Sequence, residues 1–263
     1  VSEIQTLYRH RQLIAALTAR DLKARYRGSV LGYFWSLANP LLLLAVYTIV
    51  FTKFFPSKVA QPFPLFLFTG ILPWTFFSAA ILESTTAISG NAGLIKKVMF
   101  PAEALPIVVV MSHLVHFVLA IPVLLAAKLV FAMLGQTKFG LTILLAPVVM
   151  LLQMLFVAGI AVAVSSASIL FRDLRDIITN LMLLGFFMTP IIYTIDTIDS
   201  RLIRALLRLN PMTPFVLAYQ DLLFYGTLPS LSDIFLMIAY ALASLAFGFG
   251  IFDRLRDILA EAI

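Results

Sequence analysis

An all-α membrane protein with six spanning helices is the fold class this sequence predicts, and three observations predict it. Hydrophobic residues fill 62% of the 263 positions and charged residues 12%, with a mean hydropathy of +1.02, far from the balance of a soluble domain. Six uncharged runs, Gly28–Thr52, Val59–Leu82, Ala104–Ala127, Phe139–Phe171, Ile177–Ile195 and Ile234–Phe252, each supply the roughly 18–20 residues that cross ~30 Å of hydrocarbon as a helix. The larger share of the 19 Lys and Arg residues falls in alternate segments. These are Arg9, Arg11, Arg20, Lys23, Arg25, Arg27, Lys96, Lys97, Arg172, Arg175, Arg254 and Arg256, and this bias places both termini in the cytoplasm. The expected organisation is a single transmembrane domain, 1–263, with spans at 28–54, 62–88, 104–134, 139–171, 177–195 and 233–253.

Residues 1–27 form a basic lead with an apolar stripe at Ile4, Leu7, Tyr8 and Ile14, which predicts an amphipathic helix on the inner leaflet. A purely topogenic lead is the alternative. The lead shows no cleavable signal pattern, since its polar part is long and runs on into a full span.

On the first span Tyr33, Pro40, Tyr47 and Phe51 share a helical face, and on the fifth Met182, Phe186, Thr189 and Tyr193 do the same. Aromatic faces stack on the C–H faces of sugar rings, and tyrosine hydroxyls exchange hydrogen bonds with sugar hydroxyls. Two such stripes suit the lining of a glycan passage; core packing or lipid contact is the competing reading. The fourth span carries Gly159, Ala163 and Ala167 at four-residue spacing, a small-residue seam for close helix packing.

Three segments between spans stand out. Ser89–Glu103 pairs Lys96 with Lys97 in a short loop with a Gly-Asn-Ala-Gly entry and a Pro exit, a cytoplasmic docking piece. Phe171–Ile177 is a short cytoplasmic loop of alternating charge. In 196–230, Ile198, Leu202, Leu206 and Leu209 oppose Arg201, Arg204 and Arg208, so Thr197–Leu209 is amphipathic. Asn210–Pro214 breaks it and Phe215–Tyr225 resumes, which predicts a broken helical hairpin dipping into the outer leaflet, either a gate or an interfacial anchor.

Several function classes are excluded or weakened. The chain has no Cys, which leaves no disulfide or thiolate metal site. No phosphate-binding Gly-x-x-x-x-Gly-Lys-Ser/Thr loop occurs, so ATP-driven work falls to another subunit. His113 and His116 lie three apart without an acid in their own span, which favours packing or hydrogen bonding over a metal. Glu83 is the one acid inside an apolar run, within reach of Lys96 or Lys97. A proton-coupled carrier would need a ladder of such acids. The net charge of +6 is split between two membrane faces, which fits anionic lipid head groups and not nucleic acid.

The basic lead Arg20-Asp-Leu-Lys-Ala-Arg-Tyr, the entry Gly32, Trp35 and Pro40, the loop Asn91…Leu94-Ile95-Lys96…Phe100-Pro101, the pair Arg172-Asp173 and Asn210-Pro211…Pro214 follow one another in an order that resembles a known family. That family is the transmembrane subunit of type-2 ABC exporters for bacterial polysaccharides, which move lipid-linked O-antigen, capsule or teichoic acid polymers. The resemblance implies a coupling helix at Asn91, Leu94, Ile95, Lys96, Lys97 and Phe100 that seats in an ATP-binding subunit carrying the phosphate-binding loop. It further implies an interface helix at 4–17 and a two-fold dimer. The first and fifth helices would line the channel through Tyr33, Tyr47, Phe51, Met182, Phe186 and Tyr193, and Arg201, Arg204 and Arg208 would sit on periplasmic gate helices. It implies no enzyme activity and no cofactor on this chain, with ATP and Mg held by the partner, and a place in the bacterial inner membrane. A type-2 ABC permease for a drug or small lipid, or a partnerless secondary carrier, are the alternatives.

Overall fold

The computed structural model describes residues 9–25, 27, 34–54, 60–91, 93, 101–137, 140–171 and 173–262. Among the described residues the chain is helical without strands: α1 Arg11–Arg25, α2 Trp35–Ile49, α3 Phe63–Ser84, α4 Ala104–Met133, α5 Ala146–Leu170, α6 Leu174–Met188, α7 Arg201–Leu209, α8 Thr213–Gln220 and α9 Leu231–Ala262.

Four of these stretches are long and apolar enough to cross a membrane: Phe63–Ser84, Ala104–Met133, Leu141–Leu170 and Leu231–Arg256. The other two expected spans are not among these four. The first is regular over Trp35–Ile49 and continues as a wider-wound turn through Phe54, while 28–33 lie outside the described residues. The fifth starts at Leu174 and stops at Met188, about 22 Å of helix at 1.5 Å per residue, short of the hydrocarbon core. Pro190 explains the stop: the residue before a proline is pushed out of the helical region, and Thr189 is extended at φ −103, ψ 137.

The centre of the molecule is α3. Every residue from Phe63 to Trp74 is buried, the signature of a helix surrounded by protein. Helices α2, α4, α5, α6 and α8 pack around it. Away from it, α5 and α9 make the most extensive helix pair. They meet where Gly159 faces the Ser244 backbone and Gly248 faces the Gly159 carbonyl, and a Cβ on either glycine would overlap backbone atoms. The expected small-residue seam therefore does form a packing contact, and the backbones themselves touch.

The segment after α6 folds back into the core. Helix α7 is capped by the Ser200 hydroxyl, which accepts from the Ile203 amide, and it anchors through Leu207, its one buried residue. Leu202, Leu206 and Leu209 instead face outward. Helix α8 is the opposite: Phe215, Val216, Ala218 and Tyr219 are fully buried. Phe215 stacks on Phe156 of α5 at 5.3 Å, and Tyr219 meets Phe117 of α4 edge-on at 5.6 Å. The two halves of this hairpin therefore meet different surroundings: α7 is mostly exposed, and α8 is mostly buried by aromatic contacts with two long helices.

The end of that segment is held by polar side chains from other elements. Lys128, buried in α4, donates from Nζ to the Leu223 carbonyl at 2.7 Å, and Thr142 Oγ1 donates to the Leu222 carbonyl at 3.1 Å. Gly226, at φ 73, turns the chain away. A cation and a hydroxyl so placed satisfy carbonyls that a helix end leaves without partners. Beside them burial, then the charge of Asp233, raises the Asp221 carboxyl to about 6.

Candidate functional site

The only side of α3 that is not sealed lies in its second half. Thr75, Ser78, Ala79, Leu82 and Glu83 are partly or fully exposed while the residues between them are largely buried. Their spacing puts them on one helical stripe. The stripe forms the floor of a cleft between α2 and α6, both of which pack on α3. Ala79 borders an open hollow on each side of it.

Toward α2 the hollow is a cavity of about 530 Å³, lined by Arg25, Trp35, Asn39, Thr75, His116 and Phe117 among others. Toward α6 it is a groove of about 460 Å³ lined by Trp74, Ser78, Thr179, Met182, Leu183 and Phe186. The Trp74 and Phe186 rings lie 6.1 Å apart at 68°, and Gly185 lets the Trp74 ring approach the α6 backbone. One wall is thus polar and aromatic, the other apolar and aromatic, over a floor carrying the Thr75 and Ser78 hydroxyls.

Where α1 meets the cleft, Glu83 ties three elements together. Arg25 Nη2 donates to both carboxylate oxygens at 2.7 and 2.8 Å, and His113 Nε2 lies 2.7 Å from Oε2. The acid missing from the His113 span comes from the neighbouring helix, and Arg25 and His113 are the partners seen for Glu83. Lys96 and Lys97, expected as its partners, lie outside the described residues. No cluster of metal-ligating side chains occurs among the described residues.

The expected channel residues divide. Met182 and Phe186 line the groove. Tyr47 and Phe51 are half-buried against the core, Phe51 meeting Phe63 edge-on at 4.7 Å. Tyr193 lies beyond α6, where its hydroxyl donates to the Phe187 carbonyl at 2.9 Å. Tyr33 is outside the described residues. Of the expected coupling residues, Asn91 donates from Nδ2 to the Ala87 carbonyl at 2.9 Å and borders a small hollow beneath α1 with Arg20, Asp21 and Thr86. Leu94, Ile95, Lys96, Lys97 and Phe100 lie outside the described residues, as does Arg172. Arg201 and Arg208 are exposed on α7, and Arg204 Nη2 is 3.5 Å from the Asp199 carbonyl.

Sequence reasoning missed Trp74, Asn39, Thr75, Ser78 and Thr179 as cleft residues. The signal was present in α3: hydroxyls at Thr75 and Ser78 with Glu83 beyond them mark one face of an otherwise apolar helix.

Comparison with known proteins bears on this arrangement. The model of the family described as "ABC-2 type transporter" matches residues 12–224. The chain belongs to that family. This ABC-2 chain is 37% identical, over 99% of its length and 98% of the relative's, to the O-antigen export system permease protein RfbA of Myxococcus xanthus. A permease of the same name from Klebsiella pneumoniae is 31% identical, with 95% of each chain covered. The polysialic acid transport protein KpsM of Escherichia coli is 32% identical over 85 residues, 31% of this chain and 32% of that one. Four apolar helices of spanning length and this family make the ABC-2 chain a multi-pass membrane protein.

Proposed function

We propose that this ABC-2 chain is the permease subunit of an ATP-driven exporter that moves lipid-linked polysaccharide of the O-antigen kind across the bacterial inner membrane, with both termini cytoplasmic. Full-length similarity to a permease named for O-antigen export supports the substrate class. The observation that carries the reading is the cleft: a polar strip on the otherwise buried α3, open to the outside of the chain and flanked by aromatic walls on α2 and α6. Thr75 and Ser78 donate their hydroxyls to the Ile71 and Thr75 carbonyls of their own helix, which leaves each oxygen able to accept from a sugar hydroxyl. A second copy, related by two-fold symmetry, would close two such clefts over one passage.

In this reading the chain does no chemistry of its own. ATP and Mg are bound and turned over by a separate subunit with a phosphate-binding loop, which seats the 89–103 segment through Asn91, Leu94, Ile95, Lys96, Lys97 and Phe100. Closure of the ATPase pair pushes on that segment and on α1, and the Arg25–Glu83–His113 cluster passes the movement to α3 and α4. Trp74, Met182 and Phe186 offer stacking faces to the passing sugar rings. Tyr33, Tyr47, Phe51 and Tyr193 extend the aromatic lining toward the partner copy, and Arg201, Arg204 and Arg208 guard the outer exit.

The test is to purify the chain from its native membrane in mild detergent and identify what accompanies it. A stoichiometric ATPase subunit is expected, and Lys96→Glu with Lys97→Glu is expected to lower coupled export while membrane insertion persists. Recovery of a partner-free monomer would overturn the reading, and equal loss of insertion and export would reduce the two lysines to topology signals.

A further inference from the structure

The cavity between α2, α3 and α4 combines a guanidinium with apolar rings, a lining that the glycan passage does not require. Its end nearest α1 holds the Arg25 guanidinium, which Glu83 links to His113, and Ala120 lies at the other end of the part that α4 lines; the Asn39 amide, the Trp35 indole and His116 share the lining with Phe76 and Phe117, whose rings stack at 5.5 Å. From His113 to Ala120, both of which line it, the cavity follows α4 for about 10 Å at 1.5 Å per residue. Arg25 meets Glu83 through Nη2 alone, which leaves the N–H donors of Nη1 and Nε outside that pair. The carboxylate that holds Arg25 faces the separate hollow beneath α1, with Asp21. The wall seen from the cavity therefore starts from a guanidinium at the α1 end and carries both donors and apolar rings along its length.

We propose that this cavity binds a phosphate-headed lipid from the leaflet next to α1, with the phosphate beside Arg25 and Asn39 and the first part of one chain along Phe76 and Phe117. A guanidinium fixed from behind by a carboxylate is pre-organised for a phosphate oxygen. A volume of about 530 Å³ takes a head group and a short length of single chain, and the remainder runs out between the helices. Two sources share this chemistry, a bilayer phospholipid and a prenyl phosphate of the kind that carries glycans. The second of these rests on the permease reading above; the first does not.

The chain supplies its own reporter. It has two tryptophans, so a Trp74→Phe background leaves Trp35, in the cavity wall, as the sole emitter. The full chain in delipidated detergent solution is titrated with farnesyl phosphate, farnesol, dihexanoyl phosphatidylglycerol and inorganic phosphate. A saturable shift of Trp35 emission is expected with at least one of the two phosphate-headed lipids, about tenfold tighter than with farnesol, since a hydrogen bond to a charged group is worth that factor or more. Arg25→Gln is expected to remove that advantage. Asn39→Leu, which leaves the Glu83 cluster untouched, is expected to reduce it, and Ala120→Phe, which fills the end away from Arg25, is expected to weaken every ligand. A response to farnesyl phosphate alone assigns the site to the carrier lipid, and a response to phosphatidylglycerol alone or to both assigns it to phosphate-headed lipids at large. Farnesol binding as tightly as farnesyl phosphate, inorganic phosphate matching the lipids, or indifference to Ala120→Phe would overturn the proposal. Because the titration involves neither ATP nor a partner subunit, its failure is separate from any failure of export.

Discussion

The contact of α5 with α9 and the cleft between α2 and α6 are built from the same apolar vocabulary to opposite ends. At the first, glycine brings two backbones together until no side chain fits between Gly159 and Ser244 or between Gly248 and Gly159. At the second, Trp74, Phe186 and Trp35 hold helices apart around open space. In a membrane, where lipid tails are as apolar as leucine, association comes from van der Waals fit and polar contacts. The seam maximises fit, and the cleft gives it up. The comparison teaches where this chain is fixed and where it has room for a ligand or a movement.

The largest effect should come from the seam. Gly159→Val places atoms inside the Ser244 backbone, and overpacking of this kind costs about 1–3 kcal/mol or more. Loss of the folded chain is expected, read as a lower thermal midpoint in detergent and poor recovery from the membrane. Normal stability would mean the two helices slide freely and would erase the contrast. The cleft should answer differently: Phe186→Ala with Trp74→Ala is expected to slow polysaccharide export severalfold in cells while ATP hydrolysis by the purified complex persists and the thermal midpoint moves less than for Gly159→Val. Unchanged export would return these rings to packing.

A smaller effect is expected at the junction of α1 with the cleft. Glu83→Gln loses charge-assisted contacts to Arg25 and His113, and in this partly exposed setting about 1–2 kcal/mol is expected, checked by a double-mutant cycle with Arg25→Gln on thermal stability. Additive losses would show that the pair does not link α1 to α3. The smallest concerns Asp221. Its carboxyl is raised in the folded chain from 3.8 to about 6, so the folded state holds a proton that the unfolded state has lost, and stability should fall as pH rises through that window. Asp221→Asn should flatten the dependence; a pH profile that keeps its slope in the variant would assign it to another group.

The sequence showed some of this plainly. The uncharged runs Ala104–Ala127 and Ile234–Phe252 fall wholly inside the observed helices α4 and α9, and Gly159 with Ala163 announced a close contact. Met182 and Phe186 share a face by periodicity, and both border the groove. Phe51 fits the same pattern yet meets Phe63, with Tyr47 beside it at 6.3 Å, since periodicity states which residues share a face and not what the face meets. Glu83 and His113 were noticed singly; their pairing spans 30 positions and no local pattern carries it. The burial of α8 was equally hidden, because an apolar segment after a break reads alike whether lipid or protein covers it.

The sequence by itself determined that this chain is helical, membrane-bound and of the ABC-2 kind, because hydrophobic run length, charge bias and motif order are properties read along the chain. Only the tertiary structure decided that α3 is the centre, that α8 packs between Phe117 and Phe156, that Lys128 reaches the Leu223 carbonyl, and that Arg25, Glu83 and His113 meet. Each of these depends on which helix faces are turned toward one another, and that choice is made by packing and hydrogen bonds between residues far apart in the chain.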